Sequence, residues 1–289
     1  MAGESAAKLA HLHGPIAELD FSEDDIHRYS RHIVLPEVGG IGQKRLNRAA
    51  VLIVGAGGLG SPVAMYLAAA GIGKIGIVDN DVVDVSNLQR QILHTTADIG
   101  RKKVESAREM LLALNPGLEI IPHDLRLNAG NILDLLHEYD VVAEGSDNFP
   151  TKFLVNDACV MTKTPLSMAG IFRFSGQILT VVPGEGPCYR CLIPQPPPPG
   201  AIPSCQEAGV FGAMAGVVGI VQATEIVKLV LGKGDVLNGR FLLFEALQMR
   251  FEPIEVKRNP DCPVCSEAPS ITTLIDYDLT CEVQQSAAR

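Results

Sequence analysis

The stretch Ala50-Val51-Leu52-Ile53-Val54-Gly55-Ala56-Gly57-Gly58-Leu59-Gly60 decides the fold. Its uncharged run Val51 to Val54 predicts a buried strand, the glycines a tight turn, and the apolar residues through Tyr66 to Ala70 a helix. Ile75 to Asp79 then reads as the next strand. Strand, glycine turn, helix and second strand open a doubly wound α/β sheet. Glycines let the backbone approach a phosphate, the helix start offers free N–H groups, and Asp79 can accept bonds from ribose hydroxyls. Gly55, Gly57, Gly58, Gly60 and Asp79 are therefore candidate nucleotide ligands. The motif does not separate NAD from ATP, and a tight βα turn without a ligand would use the same glycines.

Outward from this unit, strands and helices keep alternating. Lys102 to Leu114 has helical spacing, Leu118 to Pro122 reads as strand, Ile132 to Leu136 as helix and Tyr139 to Ala143 as strand. A helix follows Asn148 through Phe153 to Cys159, then Pro165 to Ala169. Gln177 to Val182 and Gly239 to Leu247 alternate like strands on the far side, and Gly209 to Leu231 reads as a long apolar helix or helix pair. The expected architecture is a Rossmann-like, largely parallel sheet extended by antiparallel strands. Upstream, Ser22 with Asp25 marks a helix start, Pro36 and three glycines break the chain, and a second helix spans Gln43 to Ala49. Residues 1–21 read as a loosely ordered lead, 22–268 as a single domain and 269–289 as a tail.

Composition narrows the partners. With 24 Lys and Arg against 33 Asp and Glu, the net charge of −9 argues against nucleic acid or an anionic membrane surface. The uncharged stretches Val51 to Gly73 and Ala208 to Thr224 are glycine-rich and read as core, and the N-terminus has no signal-peptide pattern, so a cytoplasmic protein is expected. Four of the seven cysteines stand as Cys188-x-x-Cys191 and Cys262-x-x-Cys265, which in a reducing compartment points to a closed Zn²⁺ site before disulfides. Their 70-residue separation exceeds ordinary zinc-ribbon spacing, and unrelated cysteine pairs remain the alternative.

Arg90 and Lys103 decide more than the glycines do. Nucleotidyl transfer needs cations on the triphosphate, whereas a dinucleotide site relies mainly on the helix start. Taken alone, both residues could be solvated helix surface. Gly145-Ser146-Asp147-Asn148 follows a strand at its carboxyl end, where Asp147 can serve as a Mg²⁺ ligand or the segment can be a simple turn.

Arg28 to Ile33, Gly42-Gln43, the glycine turn, Ser86 to Gln91, Asp147-Asn148, Pro187 to Cys191 and Cys262 to Cys265 occur in an order that resembles the ThiF/MoeB/HesA family, over about residues 22–281. Those proteins adenylate ubiquitin-like sulfur carriers. The resemblance implies that ATP is held near Gly58 and Asp79, with Ser86, Asn87, Leu88, Gln89, Arg90 and Lys103 around its sugar and phosphates, Asn148 also at the nucleotide and Asp147 binding Mg²⁺. It implies a homodimer in which Arg31 enters the partner's site, a carrier ending in Gly-Gly as substrate, and a structural zinc held by the four paired cysteines. It also places Ile171 to Gln177 near the carrier's tail, although core packing would equally explain the phenylalanines there.

Cys205 stands alone after the proline loop; the resemblance implies a covalent thioester or acyl-disulfide link with the carrier, and direct sulfide attack on the acyl-adenylate, without that link, and a small apolar packing role are the alternatives. Glu144 and Ser175 depart from the family pattern, the first by a same-charge change from Asp, the second by replacing an acidic residue. The absence of a rhodanese segment up to Arg289 implies a separate sulfur donor. Two other readings are carried forward: an NAD-dependent oxidoreductase, and a nonenzymatic zinc-stabilised binder of a ubiquitin-like protein.

Overall fold

In the computed structural model, which describes residues 6–16, 18–198 and 208–277, eight strands form one sheet in the order β3-β2-β1-β4-β5-β6-β7-β8. The strands are β1 Ala50–Val54, β2 Lys74–Val78, β3 Glu119–His123, β4 Val141–Glu144, β5 Leu166–Phe172, β6 Ser175–Val181, β7 Arg240–Glu245 and β8 Arg250–Glu255. β1 to β5 run parallel; β6, β7 and β8 extend the sheet antiparallel. β1 sits between β2 and β4, with Ile53 in register with both Ile77 and Ala143. The chain first builds outward to β3 and then returns to the other side of β1 at β4. Such a reversal opens a crevice at the carboxyl ends of the two strands, and Gly55 and Gly145 face one another there.

Helices cover both faces. They are α1 Ala6–His13, α2 Glu23–Arg28, α3 Ser30–Ile33, α4 Gly39–Arg48, α5 Gly60–Ala70, α6 Lys103–Leu114, α7 Ile132–His137, α8 Phe149–Thr162, α9 Tyr189–Leu192 and α10 Gly212–Leu231. One apolar cluster packs Leu67, Val104 and Ile226 of α5, α6 and α10 onto Val51 and Ile53. A second packs Phe153 and Leu136 of α8 and α7 onto Leu52 and Val142. Successive β1 residues thus feed opposite layers, which is why the run Val51 to Val54 shows no polar alternation. By length and composition α10 could cross a membrane, yet most of it is buried against α5, β5 and β6, where it serves as a core helix.

Three local differences from the sequence expectation have physical causes. Within the lead, expected to be loosely ordered, α1 forms a helix whose Leu9 and Leu12 are buried in the first cluster. α4 begins at Gly39, a turn before the expected Gln43, because Gly42 admits close packing against Val38 and Leu231. β8 was not anticipated: its residues are all exposed and include Pro253, which an edge strand tolerates. Upstream, the capping box of Ser22 and Asp25 starts α2, and the chain bends at Tyr29 before α3.

Candidate nucleotide site and a four-cysteine cluster

The glycine turn leaves β1 at Gly55, whose φ of 94° excludes ordinary side chains. At Gly60, a Cβ would lie 1.8 Å from the Gly55 carbonyl oxygen, so α5 can start against the turn only without one. Asp79, just beyond β2, steadies the same turn: its Oδ2 accepts from Ala56 N at 2.8 Å and its Oδ1 from Asp81 N at 2.9 Å.

Cations converge on this edge. The stem of Arg90 lies over Gly58, and its Nη1 donates to Ser86 O at 3.0 Å. Lys103 opens α6 with a nearly buried side chain whose Nζ donates to Asp81 Oδ2 at 2.9 Å. Between them Ser86 is anchored by Asp84, which accepts from both its N–H and its hydroxyl. Asn87 and Leu88 lie in and just after the 3-10 turn Val85–Asn87. Gln89 presses against the start of α10, where a Cβ on Gly212 would meet the Gln89 carbonyl at 2.1 Å.

Asp147 is exposed just beyond β4, and Asn148 caps α8 by accepting from Thr151 N at 2.9 Å. Glu144, fully buried at the end of β4, shapes this loop: its carboxylate accepts from Ser146 N and Oγ and pairs with Lys152, which also donates to Ala169 O. Sequence reading noted Glu144 only as a substitution; its buried cation partner arrives from α8, eight residues away, and nothing local announces it. His94 also escaped notice. It is buried, with Nε2 3.0 Å from Ala56 O and Nδ1 2.9 Å from Ser106 Oγ.

Arg31 is not part of this constellation. It is exposed on α3, and the adjoining residues tie that region to the opposite, amino-terminal end of the strands: Arg28 donates to Leu114 O, and Tyr29 Oη accepts from Asn115 just before β3. Cys205 lies outside the described residues.

The four paired cysteines do meet. Their sulfurs all lie within 4.8 Å of one another, with Cys188 to Cys262 at 3.6 Å and Cys191 to Cys265 at 3.4 Å. A tetrahedral Zn²⁺ with bonds of about 2.3 Å would set its sulfurs about 3.8 Å apart, close to this spacing. The donor set fits a closed structural zinc site. Sulfur chemistry agrees: hydrogen bonds from Cys188, Cys265 and the Asn259 N–H pull the Cys191 thiol down to about 2, while its neighbours and burial push the Cys188 thiol up.

Beside the cluster, Arg190 is buried on α9 and forms a bidentate pair with Asp157 of α8, both bonds at 2.8 Å. Asp157 also accepts from Tyr277 at 2.7 Å, and the guanidinium lies over the Phe153 ring at 4.7 Å. This network fastens the cysteine-bearing segment to the parallel half of the sheet.

Fold and site define a doubly wound α/β protein with a phosphate-type glycine turn and clustered cations at the sheet's reversal point. The chain belongs to the ThiF family, whose model matches residues 29–264. It is 49% identical over 266 residues to a sulfur carrier protein adenylyltransferase of Thermus thermophilus, covering 90% of this chain and 98% of that protein. It is 51% identical over 261 residues to the adenylyltransferase and sulfurtransferase MOCS3 of Sus scrofa, of whose length it spans 57%. Among solved structures, E. coli MccB with MccA-N7isoASN superposes with a TM-score of 0.72 at 25% identity, over 87% of this chain and 77% of that one.

Proposed function

We propose that this chain uses ATP to adenylate the C-terminal Gly-Gly carboxylate of a small ubiquitin-fold sulfur carrier, releasing pyrophosphate and activating the carrier for thiocarboxylate formation. The observation that carries this reading is Arg90 lying over the glycine turn, with Lys103 bonded to Asp81 just beyond β2 and Asp147 just beyond β4, in a chain that matches a sulfur carrier protein adenylyltransferase over nearly its whole length.

The chemistry asks little beyond alignment and charge. A carboxylate oxygen attacks the α-phosphorus, the bond to the β-phosphate bridging oxygen breaks, and pyrophosphate leaves; the nucleophile is already an anion, so no base is required. The glycine-turn N–H groups and the start of α5 receive the phosphates, and Arg90 and Lys103 neutralise charge as it shifts to the leaving group. Asp79 holds the turn and borders the ribose. Asp147 would hold Mg²⁺, which supplies further neutralisation when bound.

Arg31 completes the site of a second copy in a homodimer, since its own helix lies at the far end of the strands. Zinc on Cys188, Cys191, Cys262 and Cys265 is structural, because four thiolates leave no open coordination position. The Cys205 thiolate attacks the acyl-adenylate carbonyl and expels AMP, leaving a thioester to the carrier, and sulfur comes from a separate donor, in the cytoplasm. Family membership leaves the oxidoreductase and nonenzymatic binder readings without support.

The test is ATP–pyrophosphate exchange with a panel of purified ubiquitin-fold carriers ending in Gly-Gly, each beside a form lacking that tail. Exchange that requires the intact tail of one carrier is expected. Exchange indifferent to every tail overturns the assignment.

A further inference from the structure

The glycine turn is held from two sides by side chains, and one of them, His94, is given no part in the proposed chemistry. On one side Asp79 accepts from Ala56 N; on the other His94 Nε2 faces Ala56 O at 3.0 Å. A carbonyl oxygen only accepts, so Nε2 of His94 carries the proton, and Nδ1 lies 2.9 Å from Ser106 Oγ. Burial, with a smaller contribution from the nearby Lys103 charge, holds the imidazole below its ordinary range, so the ring is neutral near pH 7.

This contact fixes a peptide plane. The Ala56–Gly57 peptide is trans, so its N–H points opposite to its C=O. With the carbonyl turned onto His94, the Gly57 N–H faces away from the imidazole, and none of the described residues accepts from it. Glycine on the far side of that bond would otherwise let the plane rotate at little cost. The same imidazole reaches Ser106, three residues beyond Lys103 on α6. It therefore ties the turn to the helix that delivers the lysine.

We infer that His94 is a positioning residue that holds the Ala56–Gly57 peptide so that the Gly57 N–H meets the triphosphate, and that fixes the turn's spacing from Lys103. This rests on the adenylation reading for the identity of the nucleotide. Phosphate oxygens are strong acceptors, and an N–H already aimed at them costs no reorientation on binding. The Ala56 carbonyl sets the tautomer, and Asp79 supports the other face of the same turn.

The experiment compares His94→Phe, which keeps a planar ring and loses the donor, with His94→Gln, whose side-chain amide can still donate to Ala56 O. ATP affinity is measured by equilibrium titration, and KM and kcat by ATP–pyrophosphate exchange with the carrier that supports it. Losing an aimed N–H contact to a charged phosphate predicts an ATP Kd and KM raised about tenfold in His94→Phe. The carrier KM stays within twofold, and His94→Gln recovers most of the ATP affinity. A merely structural role would lower the active fraction and hence kcat without moving the ATP KM.

A His94→Phe protein that binds ATP as tightly as wild type overturns the inference. If that variant does not fold, nitrogen NMR of the wild-type histidines decides: an Nε2–H tautomer at His94, with the Gly57 amide shifting on addition of ATP, supports the inference, and an Nδ1–H tautomer overturns it. Wild-type protein that binds ATP but exchanges pyrophosphate with no carrier refutes the adenylation reading alone. Wild-type protein that binds no ATP refutes both.

Discussion

Lys103 Nζ lies 2.9 Å from Asp81 Oδ2, with the lysine side chain 6% exposed and the aspartate 66% exposed. The backbone repeats the link, Lys103 N donating to Asp81 O at 3.1 Å. A buried ammonium is thus steadied by a carboxylate that stands in water, at the edge where the glycine turn opens. Charge placed in such a shielded position acts on a phosphate more strongly than a solvated lysine could. Lys103→Met, which keeps the stem's volume, should lower kcat for ATP–pyrophosphate exchange by about 100-fold or more while the fold survives, by analogy with removal of one transition-state donor. Exchange within threefold of wild type would take Lys103 out of the phosphate site.

What could be read in advance followed from how local each determinant is. The run Val51 to Val54, its glycine turn and Asp79 lie within one βαβ unit, so their sequence fixes their geometry, and the reading of a doubly wound sheet matches the structure. The antiparallel extension was visible as alternation in Gln177 to Val182. β8 was not, because Arg250-Phe251-Glu252-Pro253 has no buried face to impose a period. α1 is short and its place depends on distant partners, Lys8 donating to Leu136 O and His13 facing the carbonyls that end α10. Residues that act through long-range contacts, such as His94 on Ala56, Glu144 with Lys152 and Arg190 with Asp157, leave no local pattern. The four paired cysteines were legible as one closed metal site because two Cys-x-x-Cys pairs supply four thiolates; the fold brings the pairs together, Cys188 beside Cys262 across 74 positions.

Metal removal separates a structural zinc from a catalytic one. Protein isolated under reducing conditions should carry about one zinc per chain. Displacing it with a thiol-reactive mercurial and chelator, or replacing Cys262 with Ser, should lower Tm by several degrees, since the cluster secures the segment that holds Arg190 against Asp157. ATP–pyrophosphate exchange measured well below the lowered Tm should persist. Complete loss of exchange while circular dichroism still reports a folded chain would show that the cluster does more than hold the fold.

Stability should decline on mild acidification, with His94 contributing part of the slope. Burial depresses the folded pKa of His94 and of His123 below the ordinary value of 6.5. Between the folded and unfolded values the unfolded chain binds more protons, so this contribution to folding is fully present above about pH 6.5 and is lost as pH falls through the folded pKa. Urea unfolding at steps from pH 7.5 to pH 5 should therefore show a shallower fall for His94→Gln than for wild type. Equal slopes would mean that His94 takes up its proton inside the fold.

Arg31 offers a test that needs no structure of the dimer. It stands exposed on α3, near Tyr29 and Asn115 at the amino-terminal end of the strands, while Asp147 stands at their carboxyl end, so one chain does not bring the two together. If Arg31 serves the partner's site, Arg31→Ala and Asp147→Ala homodimers both lack every complete site. Mixed dimers differ: one of their two sites receives Arg31 from the Asp147→Ala chain and Asp147 from the Arg31→Ala chain. Random subunit exchange in an equal mixture makes about half the dimers mixed, each with one of two sites intact, so exchange activity should recover to about a quarter of wild type. Each variant alone should stay near background. A mixture no more active than its components, after mass spectrometry has verified that subunits exchanged, would place Arg31 in its own chain's site or outside the chemistry altogether.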